Sequence, residues 1–131
     1  MEQQFDKVSR RWKEGLELLK LEDDELSDIA YFSYSLFRAS YHQVRFVRLR
    51  NHFLEEREEA PAQELTELVQ EMIEILQEEK KLAREVYGIM CRRPEIGYEA
   101  ANHYYFSLDS MREKIINCNW LIAYYEELRN Q

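Results

Sequence analysis

Side chains with chemistry to offer gather in two places along this chain. The first is the stretch from Arg92 to Phe106, where Tyr98, Tyr104, Tyr105 and Phe106 fall close to Glu99, Asn102 and His103. An amide and an imidazole give directional hydrogen bonds, and tyrosine rings give apolar faces that carry hydroxyls. That mixture suits carbohydrate, and it suits equally a connector whose polar tips fasten onto backbone groups. Arg92 and Arg93 can join either network, or compensate the dipole at the end of a preceding helix. The second place lies between Leu26 and Leu54, where Tyr31, Tyr34, Arg38, His42, Arg45 and His52 fall within one angular sector of a helix. In the plainer reading of this stripe Arg38 and Arg45 pair with carboxylates and the histidines make local hydrogen bonds. In the other, the stripe meets a ligand or a partner.

Specific reactions find little support in the spacings. Glu95 and Glu99 are a candidate carboxylate pair for glycoside hydrolysis, but nothing in the sequence places them across a sugar ring at the required separation. Glu99 and His103 would face together if this section formed a short helix. Arg45 precedes His52 by seven residues, which resembles the arginine and histidine spacing of some helical nucleotide-binding ribonucleases. That resemblance implies phosphate stabilisation by Arg45 and proton exchange by His52. His42, His52, His103, Cys91 and Cys118 lack a compact zinc-ligand spacing, and no Glu-x-x-His occurs for a carboxylate-bridged di-iron bundle. A glycine-rich phosphate loop, a Cys-x-x-Cys and a Gly-x-Ser-x-Gly elbow are missing as well. No catalytic residue, metal or cofactor is therefore assigned.

Helices must position these groups. Glycine and proline are scarce, 34% of residues are charged and 45% hydrophobic, a balance that favours helix. Phe5, Val8, Trp12, Leu16 and Leu19 recur at helical spacing over Phe5 to Lys20, and Asp23 or Asp24 can cap the next helix. No proline or glycine interrupts Leu26 to Leu54, so a long second helix is predicted there, with Ile29, Phe32, Leu36 and Val47 on its apolar side. The acidic run Glu55 to Glu59 marks a solvated boundary before Pro61. From Glu64 to Met90, Leu65, Leu68, Val69, Met72, Leu76, Ala83, Val86, Tyr87 and Met90 define the core side of a third helix, with Glu78 to Lys81 on its wet side. Pro94 and Gly97 stop that helix near Arg92. Ser107 or Asp109 caps a fourth, whose aliphatic residues from Met111 to Leu128 pack inward.

The expected fold is all-α: an up-down bundle of about four helices with a structured aromatic connector before the last. The connector, residues 93–106, is predicted to pack against the Tyr31/Arg38/His42/Arg45 side of the second helix. The 131 residues fit a single helical-bundle domain, compatible with a fragment of a larger protein. The formal charge of −8 disfavours nucleic acid as a partner. No apolar run is long enough to span a membrane and no targeting signal is evident, so a soluble chain with two reduced cysteines is expected.

Arg93, the run Ile96 to Tyr105, and Asp109 to Cys118 together resemble the helical C-terminal regions of some large bacterial proteins related to glycoside hydrolases. The likeness covers mainly residues 61 to 128. It implies a non-catalytic accessory or interdomain module of a carbohydrate-processing protein, with an adjacent domain as partner and a glycan as a candidate ligand. The residues implicated in ligand or interdomain contact are Arg38, His42, Arg45, Arg93, Glu99, Asn102, His103, Tyr104 and Tyr105. A ribonuclease using Arg45 and His52, and a purely structural interaction domain, stand as the alternatives, and a homo-oligomer is left open.

Overall fold

The computed structural model describes residues 1–19, 24–99, 103–104 and 106–130. Four helices dominate: α1 (Glu2–Leu19), α2 (Asp24–Glu56), α3 (Ala62–Arg92) and α4 (Leu108–Arg129). Each packs antiparallel on the next, giving the predicted up-down all-α arrangement. The helix limits lie within a few residues of those read from the sequence. Asp24 is the first residue of α2, Asp23 lies outside the described residues, and Pro61 immediately precedes α3, where its missing N–H costs nothing.

The core sits where α3 meets α2 and α4. Met72 is completely buried, and around it Leu49, Val69, Ile73, Leu76, Cys118, Ile122 and Tyr125 form one cluster. A smaller cluster of Val86, Met90 and Met111 lies toward the connector, packed against Phe32 and Phe106. α3 thus carries its apolar residues at the spacing that buries a broad stripe between two neighbours. Truncating Met72 to alanine would cost about 2–5 kcal/mol, through lost transfer energy and the cavity left behind. α1 packs on α2, beside the seam between α2 and α3. Trp12 donates its Nε1–H to the Ala30 carbonyl at 2.9 Å and lays its ring 5.7 Å from that of Phe37.

Two features depart from the sequence reading. Ile29, Leu36 and Val47, predicted to mark the inner side of α2, are exposed, while Ser35, Tyr41, His42 and Leu49 are buried. The polar stripe turns inward because α3 offers it carboxylates, an attraction that apolar periodicity does not register. On α3, Glu79 leaves the predicted wet side and is buried for the same reason.

The connector opens with a turn after Arg92 and contains a two-residue antiparallel pairing of β1 (Tyr98–Glu99) with β2 (His103–Tyr104). In this pairing Glu99 stands opposite His103 across the ladder. The short helix that would have brought those two onto one face is therefore replaced by extended backbone. Gly97, at φ 96°, makes the turn that a side chain would strain. Ser107 caps α4: its Oγ accepts the Ser110 N–H at 3.1 Å, and Ser110 Oγ accepts the Ser107 N–H at 2.9 Å.

Candidate functional site

α2 presents Arg38, His42 and Arg45 within two turns, and α3 runs antiparallel beside it with Glu71, Glu78 and Glu79. At the centre His42, only 3% exposed, sits between two carboxylates. Its Nδ1 lies 2.5 Å from Glu79 Oε2, and its Nε2 lies 3.1 Å from Glu78 Oε2. A carboxylate only accepts, so both contacts are hydrogen bonds only when the ring carries both N–H groups. Glu79 reaches Lys114 of α4 through its other oxygen. Burial alone would raise the Glu79 carboxyl, but the His42 hydrogen bond and the Lys114 charge more than reverse this, leaving it below its ordinary value. Partial burial would raise Glu78 too, but Arg38 and His42 outweigh it and hold this carboxyl down as well.

Arg38 extends the network to a third helix. Its Nη1 donates to Asp6 of α1 at 3.2 Å, its Nη2 donates to Glu78 at 3.1 Å, and its guanidinium lies 4.5 Å from the centre of the Tyr41 ring. Arg45 donates to the Tyr41 hydroxyl at 2.7 Å and to Glu71 at 2.9 Å. Tyr31 donates to Glu85. Four of the sequence-selected residues, Tyr31, Arg38, His42 and Arg45, thus lie along one seam, and α1 and α3 already supply their partners.

Arg93 lies apart, at the opposite end of α3 from Ala62. It donates to Asp28 near the start of α2 at 3.0 Å, beside Arg92, which reaches the same carboxylate at 2.8 Å. Phe106 stacks edge-on against Phe32, with ring centres 5.9 Å apart. The described contacts of the connector are therefore with Asp28 and Phe32 in the first three turns of α2 and with the cluster of Val86, Met90 and Met111, while the Arg38/His42/Arg45 side faces acids of α1 and α3. Asn102 and Tyr105 lie outside the described residues, as do the side chains of Glu99, His103 and Tyr104. His52 is exposed, and Arg45, its proposed phosphate-binding companion, is engaged by Glu71 and Tyr41.

Two concavities share His42 as a wall. One, of about 440 Å³, lies between α2 and α4 over the apolar floor of α3, with Glu79 and Lys114 at its polar edge. The other, of about 530 Å³, lies beside Arg38, Glu78 and Lys81 and is polar. Neither offers a nucleophile next to a free base. No group of three or more His, Cys, Asp or Glu side chains among the described residues is placed to hold a metal ion. No described helix is long and apolar enough to cross a membrane.

The sequence reading missed a different surface. Ile116, Trp120 and Tyr124 succeed one another at four-residue intervals on the outer face of α4, and Trp120 is 66% exposed. The Trp120 and Tyr124 rings lie 9° from parallel, with centres 5.7 Å apart. The signal was present: α4 carries apolar residues on this face as well as on the inner one formed by Met111, Cys118, Ile122 and Tyr125. No family model matches the chain, and comparison with curated proteins and with solved structures found no match.

Proposed function

We propose that this chain is a non-catalytic helical module of a carbohydrate-processing protein, docking an adjacent domain through the outer face of α4. The observation that carries the reading is the exposed row of Ile116, stacked Trp120 and Tyr124. Such a row of large apolar groups, flanked by Glu113, Asn117 and Glu127, has the make-up of an interface centre with a polar rim. Trp and Tyr are the residues that most often dominate binding energy when covered. The commitment of Arg38, His42 and Arg45 to ion pairs supports a binding role over catalysis, because a group locked between opposite charges is poorly placed to meet a reacting atom. The carbohydrate context rests on the resemblance of the connector and α4.

Calorimetric titration of the chain against the neighbouring domain of its parent protein, with and without a glycan, tests this. Trp120→Ala combined with Tyr124→Ala should weaken docking at least about tenfold, the scale of a truncated interface anchor. A neighbouring domain that does not bind, or that binds the double variant as well as the parent chain, would remove the proposal.

A further inference from the structure

An outer row on α2, at the rim of the concavity floored by α3, carries Ile29, Leu36, Val47 and Leu54, each between 38% and 49% exposed. Seven residues separate Ile29 from Leu36, eleven separate Leu36 from Val47, and seven separate Val47 from Leu54. The spacing reads the same in both chain directions. Ser33, Ser40, Gln43 and Arg50 fill the gaps, so the whole row keeps alternating three- and four-residue steps, the geometry of a helix-pairing seam. Ser33 and Ser40 are small, and each donates its hydroxyl to its own helix, to the Ile29 carbonyl at 3.0 Å and the Leu36 carbonyl at 2.9 Å. The one donor of each is thus satisfied within the helix.

From this self-complementary row we infer that the chain pairs with a second copy of itself, α2 against α2, antiparallel about a twofold axis. Such an axis places a residue and its counterpart in reciprocal contact. Ile29 then meets Leu54 of the second copy, Leu36 meets Val47, Ser40 meets Gln43 and Ser33 meets Arg50. All four apolar residues of the row find apolar counterparts. A parallel pair would instead set Arg50 against Arg50, a like-charge contact that disfavours it. Leu36, Ser40, Gln43 and Val47 also wall the 440 Å³ concavity on its α2 side, so the second helix covers that edge.

Contact from Ile29 to Leu54 runs for about 37 Å, and a helix about 10 Å wide then presents about 400 Å² per copy. The total of about 800 Å² falls below the roughly 1,200 Å² of standard stable complexes, so the dimer is expected to be weak and reversible. The surface is separate from the α4 row and does not depend on it.

Sedimentation velocity on the full chain over a micromolar concentration series provides the test. The parent chain should pass from monomer to dimer as concentration rises. Leu36→Lys and Val47→Glu should each raise the dissociation constant at least about tenfold, because each sets a charge against an apolar residue. The double variant Leu36→Lys/Val47→Glu should recover most of the loss, since the antiparallel register places each lysine beside a glutamate of the other copy. Circular dichroism checks that the variants remain folded, as is expected for exposed positions. A chain monomeric throughout, a dimer indifferent to both single variants, or a double variant weaker than either single one would overturn the inference.

Discussion

His42 is clasped between two sequence neighbours: its Nδ1 is 2.5 Å from Glu79 Oε2 and its Nε2 is 3.1 Å from Glu78 Oε2. Consecutive residues on a helix diverge by about 100°, so Glu78 and Glu79 straddle the ring, one from the solvent side and one from the core. Glu79 also ties to Lys114, and Glu78 to Arg38. One imidazole therefore links α2 to α3 and, through its carboxylate partners, to α4 and α1.

Removing the ring should destabilise the bundle sharply. His42→Leu leaves Glu79 buried with Lys114 as its remaining partner, and breaking a buried pair from one side costs about 3–5 kcal/mol. Adding Glu79→Leu should recover part of that loss, because the unpaired buried carboxylate is gone. Urea unfolding of the two variants and the parent chain measures both steps. Equal stabilities for His42→Leu and the parent chain would show that the clasp contributes nothing.

The same clasp makes stability pH-dependent on the acid side. Glu78 and Glu79 are both held below their ordinary value of 4.5 in the folded chain. The unfolded chain therefore binds protons first, and the stabilisation is complete above about pH 4.5 and lost as pH falls through the depressed folded values. Glu78 is largely exposed, so solvent screening leaves Glu79 as the larger contributor. Glu79→Gln should flatten the decline in denaturation midpoint below pH 4.5. An unchanged pH profile in that variant would place the acid sensitivity elsewhere.

The helices and their order were legible because α3 states its apolar stripe plainly and Pro61, Pro94 and Ser107 punctuate the chain. The side of α2 that faces inward was not legible. Ile29, Leu36 and Val47 read as a core face by periodicity alone, yet Arg38, His42 and Arg45 take that position. A ring of partners supplied by Asp6, Glu71, Glu78 and Glu79 offsets the cost of bringing them inside. Those partners lie 26 to 40 residues away, beyond any local pattern. The α4 row was hidden differently: with apolar residues on two faces, α4 gives no single inward direction.

Loss of the α4 cap should cost less than loss of the clasp. Ser107 and Ser110 satisfy each other's backbone N–H groups reciprocally. Ser107→Ala removes one acceptor from an exposed helix start, for which about 1 kcal/mol is expected, whereas Ser107→Asp should retain most of the stability. Thermal unfolding of the two variants separates a capping role from a side-chain volume effect, since only the alanine variant should lose stability.

Gly97 should tolerate no side chain. Its φ of 96° lies where L-residues are strained, and an added Cβ would stand 3.1 Å from the Phe106 carbonyl oxygen and 3.4 Å from Phe106 Cβ. Both neighbours belong to the end of the connector, and Phe106 is itself braced on Phe32. The strain therefore cannot be relieved without moving the entry to α4. Gly97→Ala is expected to lose more than about 1 kcal/mol, the ordinary cost of alanine at a positive φ. The shift should appear in urea unfolding and as faster amide exchange in the first turn of α4, where Ser107 and Ser110 form the cap. A Gly97→Ala chain as stable as the parent would mean that the turn can re-form without a positive φ, and that Phe106 is not held by it.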